Sequence, residues 1–285
     1  MTDLFITGAG VSKDSGIPTF RGEDGVWTIG SRHYTPQEMA TRDMYLHDPG
    51  QFLLWYFKRF ATYRNVQPNI VHDWLAAACN GDGARLITQN IDGLDGKAGN
   101  QDYISIHGRL DKMTLLHDQA IFDQSPDPLR SPPAYTPFDQ VPLIDAPWDE
   151  VIALVADMAP DAKNADDQIV TKALLEVCKI PASGPKMGVS LKPYVLLFDE
   201  YYTALYRMAQ AEEWMQTASK MVFMGTSFSV NITMIALRVA LQRRIPIEIV
   251  DPEPVDIEAM FGIPEGVYPI TYTPTSAQNW VAGRG

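Results

Sequence analysis

The amino-acid sequence predicts an α/β fold: a Rossmann-like, doubly wound parallel sheet with a smaller, mostly helical second lobe. Three observations support this prediction. Short, continuously apolar runs alternate with stretches of helical period, as expected of parallel strands that are buried on both faces. A glycine-rich turn follows the first apolar run at Gly8–Gly10, where doubly wound sheets often carry one. Two long stretches interrupt the alternation, which indicates two insertions.

Six apolar runs are the predicted strands. They are Leu4–Thr7, Arg85–Thr88, Tyr103–Ile106, Tyr194–Phe198, Met221–Met224 and Ile247–Val250. The stretches of helical period are Phe52–Tyr63, Ile70–Cys79, Tyr201–Thr217 and Met234–Leu241. We therefore expect the Rossmann-like domain from residues 1–30, 68–110 and 190–285, and the small lobe from the insertions 31–67 and 111–189.

The two insertions differ in composition. Residues 30–68 are rich in aromatic side chains and predict helices without a strand. Residues 125–147 are rich in proline and cannot carry regular structure for long, whereas residues 147–179 predict two short helices broken at Pro160. We expect a ligand in the cleft between the lobes, at the carboxyl ends of the strands.

Composition argues against several classes of protein. The formal net charge of -12 disfavours non-specific binding of nucleic acid, which requires clustered Lys and Arg. No run approaches the roughly 18 apolar residues of a membrane span, and the first residues do not resemble a signal peptide. Cys79 and Cys178 stand far apart, which excludes a disulfide framework and a zinc site built on cysteine pairs. We expect a cytosolic protein with no membrane partner.

The first polar motif is GAGVSKDSGIPTFRG, which begins at Gly8. The backbone amides of Gly8, Ala9 and Gly10 are expected at a helix N-terminus, a geometry that suits phosphate. A tight turn in any α/β protein can carry two glycines, so this turn alone is a weak signal. A glycine and a proline soon end the helix. The chain then continues as a loop with Phe20 and Arg21, which suits a lid over a diphosphate cofactor.

Polar residues also follow two later strands. Gln89, Asn90 and Asp92 follow the second predicted strand, and His107 follows the third. Such strand ends face the ligand crevice of a doubly wound sheet. Asn and Asp also cap helices, and a lone His at a strand end is more often structural. Three polar strand ends that can meet in one crevice favour a joint function.

These motifs resemble the sirtuin family, which are NAD-dependent protein lysine deacylases. The family pattern is GAGxSxxSGIPxFRG, TQNIDxLHxxAG, HG and GTS. It stands here in the same order as GAGVSKDSGIPTFRG, TQNIDGLDGKAG, IHGR and MGTSF. The resemblance implies NAD as cofactor and an acylated-lysine protein as substrate. It implies nicotinamide, free lysine and O-acyl-ADP-ribose as products.

The resemblance also implies residue roles. His107, with an unperturbed pKa of roughly 6.5, would be the general base, and Asn90 and Asp92 would complete the catalytic set. The cofactor-binding residues would be Gly8, Ala9, Gly10, Phe20, Arg21, Gln89, Asn90, Ile91, Asp92, Gly225, Thr226, Ser227 and Asp251. The substrate-binding residues would be Tyr56, Arg59, Phe198 and Glu200.

Tyr56 and Arg59 lie one helical turn apart on the same face of a predicted helix. Some sirtuins that remove succinyl and similar acidic acyl groups carry Tyr-x-x-Arg in this place. An arginine fork can hold the distal carboxylate in two hydrogen bonds. The alternative is that Lys58 and Arg59 are simply solvated basic residues.

This sequence departs from the family in its zinc module. Typical sirtuins carry four cysteines after the HG motif, whereas residues 109–187 hold one. We therefore expect no zinc of the family type. His117, Asp118 and Asp123 do not make a convincing replacement set.

Three further departures concern ligands. Asp95 stands where the family usually has His, and Asp199 replaces a glycine that helps to receive the substrate peptide. Asp251 stands where the adenosine ribose often meets Asn; its carboxylate would oppose a 2′-phosphate and so favours NAD over NADP. The alternatives are a sirtuin-like ADP-ribosyltransferase or NAD hydrolase that uses the same site, and a non-catalytic NAD sensor.

Overall fold

The computed structural model describes residues 2–17, 27–29, 32–118, 142–158 and 166–284. Within these residues the strands, numbered in chain order, are β1 Asp3–Thr7, β2 Trp27–Ile29, β3 Arg32–Tyr34, β4 Arg85–Thr88, β5 Ile104–Ser105, β6 Gly108–Leu115, β7 Ile144–Asp145, β8 Leu191–Val195, β9 Lys220–Met224, β10 Ile247–Asp251 and β11 Ile270–Pro274. The α-helices are Pro36–Met39, Arg42–His47, Pro49–Tyr63, Ile70–Gly81, Leu94–Lys97, Trp148–Met158, Asp167–Val177, Met208–Thr217, Asn231–Arg243, Ile257–Phe261 and Ala277–Ala282. Two 3-10 helices span Ala9–Ser15 and Ala204–Tyr206.

Six strands form a parallel sheet in the order β11-β10-β9-β1-β4-β5. This is the Rossmann order, because β4 and β5 lie on one side of the first strand, β1, and β9, β10 and β11 lie on the other. The direction of winding reverses between β1 and β9, which pair from Asp3 with Lys220 to Thr7 with Met224. The predicted doubly wound parallel sheet is confirmed.

The central strands are apolar because both of their faces are covered. Leu4 and Ile6 of β1 and Phe223 of β9 are fully buried. Phe5, on the other face of β1, meets Trp74 and Trp280 edge to face, with ring centroids 5.5 Å and 6.2 Å away. These rings come from helices Ile70–Gly81 and Ala277–Ala282, so aromatic packing joins both helices to the sheet.

The chain divides into two compact units. The first comprises Met1–Phe20, Val66–His107 and Arg207–Gly285, and it contains the parallel sheet. The second comprises Arg21–Asn65 and Gly108–Tyr206. It contains the hairpin of β2 and β3, the antiparallel sheet β7-β6-β8, and the helices of the two insertions.

Aromatic side chains form much of the core of the second unit. Trp148 is 1% exposed, and its ring centroid lies 5.8 Å from that of Phe57 and 5.4 Å from that of Phe60. Its indole Nε1–H donates to the carbonyl of Leu110, at 2.8 Å. One side chain therefore joins helix Trp148–Met158 to helix Pro49–Tyr63 and to β6.

Two expectations about strands are wrong. The sequence predicts Tyr194–Phe198 as a strand of the parallel sheet, but β8 pairs antiparallel with β6 in the second unit. An apolar run reports burial and does not say which sheet a strand joins. Pro193 was the usable signal, since a residue without N–H suits an edge strand, and β8 is at the edge of its sheet. The stretch 30–68, expected to lack a strand, contains β3.

The predicted helices are confirmed with small changes at their ends, except that the stretch from Tyr201 begins as the 3-10 helix Ala204–Tyr206 before helix Met208–Thr217. The described part of residues 147–179 forms two helices, as the sequence predicts, while Pro160 lies outside the described residues. None of the helices in the described parts of the chain is both long and apolar enough to cross a membrane.

Candidate active site

Two glycine turns touch at the carboxyl ends of β1 and β9, where the winding of the sheet reverses. Gly8 N donates to Met224 O and Gly10 N donates to Gly225 O, both at 3.0 Å. A Cβ atom on Gly10 would lie 2.6 Å from Gly225 Cα. The glycines are therefore required by close backbone packing. Two of the three amides that the sequence assigns to phosphate already donate within the protein.

The turn continues into the 3-10 helix Ala9–Ser15. That helix ends at Gly16, whose φ of +88° is a left-handed conformation that suits glycine. The early end that the sequence predicts is confirmed. Phe20 and Arg21, predicted to close over the cofactor, lie outside the described residues, and their roles stay predictions.

Ser12 connects three segments of the first unit. Its hydroxyl donates to Asp92 Oδ2 at 2.7 Å and accepts from Asn90 Nδ2 at 3.2 Å. The same Oγ lies 3.4 Å from His72 Nε2. Asn90 Nδ2 also donates to Gly8 O at 3.0 Å. Hydrogen bonds thus bring the predicted Asn90 and Asp92 together with the first turn.

His72 supports this arrangement from a fully buried position. Asn69 N donates to its Nδ1 at 3.2 Å, so a neutral ring carries its proton on Nε2 and donates towards Ser12. Burial lowers the pKa of His72, although Asp92 opposes the shift. The ring thus reaches Asp92 through the Ser12 hydroxyl.

Asp92 has two partners with different consequences. Its Oδ1 accepts from Leu94 N at 2.9 Å, at the start of helix Leu94–Lys97. Its Oδ2 accepts from the Ser12 hydroxyl. The sequence left open that Asp92 is only an N-cap. The N-cap residue is Gly93, and Asp92, one residue earlier, accepts from the first helical amide while it also belongs to the polar cluster. Asp92 is half-buried, so solvent reaches it.

Gln89 joins His107 to the same edge of the sheet. Its Nε2 donates to Thr7 O and to Thr226 Oγ1, both at 3.1 Å. Its backbone carbonyl lies 2.9 Å from His107 Nδ1. A carbonyl can only accept, so the neutral imidazole carries its proton on Nδ1, and Nε2 is the acceptor.

Burial lowers the pKa of His107 to about 4, although the hydrogen bond to the Gln89 carbonyl opposes the shift. The ring is therefore neutral at pH 7. It is a weaker base than the unperturbed histidine that the sequence analysis assumes.

The remaining predicted cofactor residues follow β9 and β10. Thr226 is buried, whereas Ser227 is exposed and its Oγ lies 3.1 Å from that of Ser229. Asp251, the last residue of β10, accepts from Glu253 N at 3.0 Å. The predicted site residues that lie at this edge of the sheet are Gly8, Ala9, Gly10, Gln89, Asn90, Ile91, Asp92, His107, Gly225, Thr226, Ser227 and Asp251.

Glu200, predicted to bind substrate, lies inside the second unit. Its side chain is 1% exposed and accepts from Lys192 Nζ at 3.0 Å on both oxygens. Arg42 Nη1 adds a contact at 3.2 Å. Burial lowers the pKa of the fully buried Lys192, while Glu200 opposes the shift. The carboxylate that the sequence assigns to substrate is thus engaged in a buried ion pair.

The two residues before Glu200 have different surroundings from it. Asp199 accepts from the backbone amides of Arg42 and Asp43 at 2.6 Å and 3.0 Å, so it supports the start of helix Arg42–His47. Phe198 is 55% exposed. Phe198 and Asp199 are thus exposed, whereas the side chain of Glu200 is enclosed.

Tyr56 and Arg59 lie on helix Pro49–Tyr63, as predicted. Tyr56 is 2% exposed, and its ring centroid lies 4.9 Å from Phe52 and 4.7 Å from Trp55. Arg59 places its guanidinium 4.2 Å from the Trp55 ring centroid, a cation–π contact. Burial lowers the pKa of Arg59, an effect that the neighbouring Tyr56 opposes.

No group of three or more His, Cys, Asp or Glu side chains in the described residues could hold a metal ion. His117 is buried, and its Nδ1 contacts the carbonyl of Leu115 at 2.8 Å. Asp123 lies outside the described residues. The described residues therefore offer no replacement for the zinc-binding cysteines of the resembled family.

The chain is similar to known proteins in sequence and in structure. A model of the Sir2 family matches residues 8–232. An NAD-dependent protein deacylase of Thermus thermophilus is 39% identical over 110 residues, which cover 37% of this chain and 42% of the relative. NAD-dependent protein deacylase 1 of Archaeoglobus fulgidus is 43% identical over 106 residues, with coverage of 37% and 42%. These matches thus span less than half the length of those relatives.

A longer match is the NAD-dependent protein deacylase of Daphnia pulex, 29% identical over 250 residues, which cover 86% of this chain and 80% of that protein. Among solved structures, a complex of a Sir2 homologue with NAD aligns with a TM-score of 0.66 at 23% identity, covering 99% of this chain and 87% of that one. A structure on sirtuin substrate affinity aligns with a TM-score of 0.66 at 18% identity, covering 99% and 92%. These two structures share the fold, and the family match over residues 8–232 shows that the chain belongs to the Sir2 family.

Proposed function

We propose that this protein is an NAD-dependent protein lysine deacylase. The observation that carries the proposal is the cluster of Ser12, Asn90 and Asp92, joined through Gln89 to a neutral His107 at one edge of the parallel sheet. The names of the curated relatives and the homologue solved with NAD support it.

The donor set of this chain fits NAD. Parallel sheets of this order bind ligands where the winding reverses, and the two glycine turns lie there. Among the described residues, Asn90 Oδ1 accepts no hydrogen bond, and the side chain is half-buried, so it suits a ribose hydroxyl. When bound, NAD supplies the ribose that takes the acyl group and the nicotinamide that leaves. Ser227 and Asp251 are available for the adenosine side.

His107 would act as the general base. Its Nδ1–H is held by the Gln89 carbonyl, which fixes the tautomer and leaves Nε2 as the proton acceptor. With a pKa of about 4, the ring is unprotonated through the neutral range. Ser12 contacts Asp92 directly, and His72 reaches it through the Ser12 hydroxyl. Together they would hold Asp92 in its orientation.

We infer an acylated lysine within a protein as the substrate. The relatives are named protein deacylases, and a Sir2 mutant that shares this fold was solved with p53 peptide and NAD. The finer proposal, an acidic acyl group such as succinyl, depends on Arg59. Its positive charge and its half-buried position on helix Pro49–Tyr63 suit a carboxylate. The buried Tyr56 would need to move for its hydroxyl to contribute.

We further propose that the protein works without zinc, in a reducing compartment such as the cytosol. Cys79 and Cys178 are both free thiols. Burial raises the pKa of Cys79 to about 11 and that of Cys178 to about 12. A neutral, buried thiol neither ligates zinc readily nor oxidises readily.

ADP-ribosyl transfer or NAD hydrolysis at the same site is the second candidate. The observation that favours it is the engagement of Glu200 and Asp199 within the second unit. These are residues that the family resemblance assigns to peptide binding. A site that keeps the NAD cluster but receives a peptide less well would pass ADP-ribose to water or to another acceptor.

One experiment separates the two. The purified protein is incubated with NAD and with acetyl-, succinyl- or long-acyl-lysine peptides, and the products are identified by mass spectrometry. A deacylase yields free lysine peptide, nicotinamide and O-acyl-ADP-ribose in equal amounts. The second candidate yields nicotinamide with free or protein-linked ADP-ribose and an unchanged peptide. Reactions without peptide are the control, and the absence of nicotinamide from every reaction would contradict both candidates.

A further inference from the structure

Asp95 is a buried acid close to the proposed active site. It lies in helix Leu94–Lys97, is 2% exposed, and stands where the resembled family usually has His. Among the described residues its Oδ1 has no hydrogen-bond partner. An ionised carboxylate in such a place lacks both water and donors, so burial strongly favours the neutral acid.

Two short paths connect Asp95 to the proposed catalytic residues. The Thr88 hydroxyl lies close enough to the Asp95 carboxyl to lower its pKa, and Thr88 Oγ1 accepts from Asn90 N at 3.2 Å. On the other side, Asp92 Oδ1 accepts from Leu94 N, the first residue of the helix that carries Asp95. Any movement of this helix therefore changes the surroundings of Asp92.

The charges around Asp95 make its ionisation costly. Burial raises the pKa of Asp95 to about 7, with a smaller contribution in the same direction from the carboxylate of Asp92, while the Thr88 hydrogen bond opposes both. Lys97, on the same helix, donates to Val66 O at 3.2 Å. His72, whose pKa is lowered by burial, is neutral at pH 7 and faces Asp92 through Ser12.

In the described residues, no cation on the packed elements is among the groups that shift the pKa of Asp95. Cys79 on helix Ile70–Gly81 is a neutral thiol, since burial raises its pKa to about 11. Asp102 and Tyr103 follow on the next loop, and the Tyr103 hydroxyl lies 2.9 Å from where a Cβ on Gly96 would stand. Asp95 thus faces acids and neutral groups.

We propose that Asp95 is a positioning residue: as a neutral acid it keeps helix Leu94–Lys97 closed and Asp92 in place, and loss of its proton to water opens this segment and disables the site. The effect on activity rests on the proposed function, whereas the opening of the helix does not. The direction of the pH effect follows from the coupling between proton binding and closure of the helix. Because the pKa is raised on folding from roughly 3.9, the closed state binds the extra proton and is lost as pH rises through about 7.

The structural test is hydrogen exchange of the full chain between pH 4 and pH 9, corrected for the intrinsic exchange rate. In the wild-type protein the amides of residues 94–98 should lose protection by up to about tenfold per pH unit from roughly pH 4 to about pH 7, where opening releases one proton. Protection should level off above about pH 7, where the closed state has already lost that proton. In Asp95→Asn, protection should not change with pH. Asp82→Asn removes an exposed carboxylate of the same unit and should behave as wild type. If Asp95→Asn does not fold, Asp95→Ala provides the same test, because it also carries no titratable group.

The functional test is the pH dependence of nicotinamide release in the same three proteins. The wild-type rate should fall as pH rises towards about 7 and then level off, and this fall should be absent from Asp95→Asn, while the loss at low pH from protonation of His107, near pH 4, is common to all. Equal exchange and equal pH profiles in wild type and Asp95→Asn would overturn the proposal. Opening without a fall in rate would overturn the positioning role and leave the proposed function intact. Opening without nicotinamide release from any protein would instead contradict the proposed function.

Discussion

The two units of this protein use polar side chains in opposite ways. In the first unit, Asn90 and Asp92 hydrogen-bond to their neighbours at the edge of the sheet, yet both stay half-buried and reachable by solvent. In the second unit, Lys192 and Glu200 neutralise each other with 0% and 1% of their side chains exposed. Satisfied polar groups that keep access to solvent can meet a ligand, whereas fully enclosed ones stabilise or specify a fold.

This contrast bears on an inference from motif resemblance. Glu200 occupies a motif that the resemblance assigns to substrate, and the structure encloses its carboxylate. His107 and Asp92 occupy motifs as well, and the structure leaves them at the sheet edge. A shared motif therefore predicts position in the chain better than it predicts what a side chain contacts. Variants that act on one unit and not on the other test this distinction.

The largest effect is expected from removing the proposed base. His107→Ala should lower deacylation by about 10²- to 10⁴-fold, the range of general acid–base catalysis, while NAD binding persists. Product formation is measured by mass spectrometry and NAD binding by calorimetry. His47→Ala, an exposed histidine of the second unit, is the matched control and should turn over normally. Unchanged turnover in His107→Ala would remove the ring from the mechanism.

The next effect concerns the buried ion pair. Glu200→Gln leaves the charged Lys192 enclosed without its main partner, so the free energy of unfolding should fall by about 3–5 kcal/mol. Denaturant unfolding followed by tryptophan fluorescence measures it. Asp167→Asn breaks the exposed pair with Lys58 and should cost at most about 1 kcal/mol. Similar losses in the two variants would show that burial does not distinguish these pairs.

A smaller effect is expected on substrate choice. Arg59→Met should lower kcat/KM for succinyl-lysine peptide by about 10- to 100-fold, because a charge-assisted hydrogen bond contributes about 1.5–3 kcal/mol. Activity on acetyl-lysine should persist. Lys58→Met, one residue earlier on an exposed face, is the control. Equal losses on both peptides would discard the acidic-acyl proposal and assign Arg59 to packing against Trp55.

The smallest effect belongs to the contact between the glycine turns. Gly10→Ala places a Cβ against the Gly225 backbone and should cost about 1–3 kcal/mol through overpacking. Gly81→Ala, at a helix end with no atom within 4 Å of the added Cβ, should be neutral or slightly stabilising. Thermal unfolding of both variants gives the comparison. A harmless Gly10→Ala would mean that the turns can separate at little cost.

The sequence predicts the first unit well for a physical reason. Parallel strands covered on both faces are apolar throughout, so β1, β4, β9 and β10 appear as runs whose ends agree with the structure to about one residue. β11 was missed because its residues alternate in exposure, as those of an edge strand do. β6 was missed because its partner β8 lies far along the chain, and local periodicity carries no information about distant antiparallel pairing.

The sequence predicts which residues belong to the candidate site, but it does not predict how their side chains are arranged. The motifs identify Asn90, Asp92 and His107, and the structure brings them to one edge. The hydrogen bonds of Ser12 to Asp92 and His72 span many residues of sequence, so no local pattern reveals them. The lowered pKa of His107 arises from burial, which depends on the folded surroundings.

The strand order has a consequence for how this chain is made. β1 is synthesised before the other strands of its sheet, and it lies in the middle of the sheet between β4 and β9. Its neighbour β4 is complete once Thr88 has been synthesised, but its other neighbour, β9, begins only at Lys220. During all the synthesis between these points, one edge of an apolar strand has no native neighbour. An uncovered strand edge recruits other chains, so the yield of folded protein should depend on translation speed and on chaperones that hold the nascent chain.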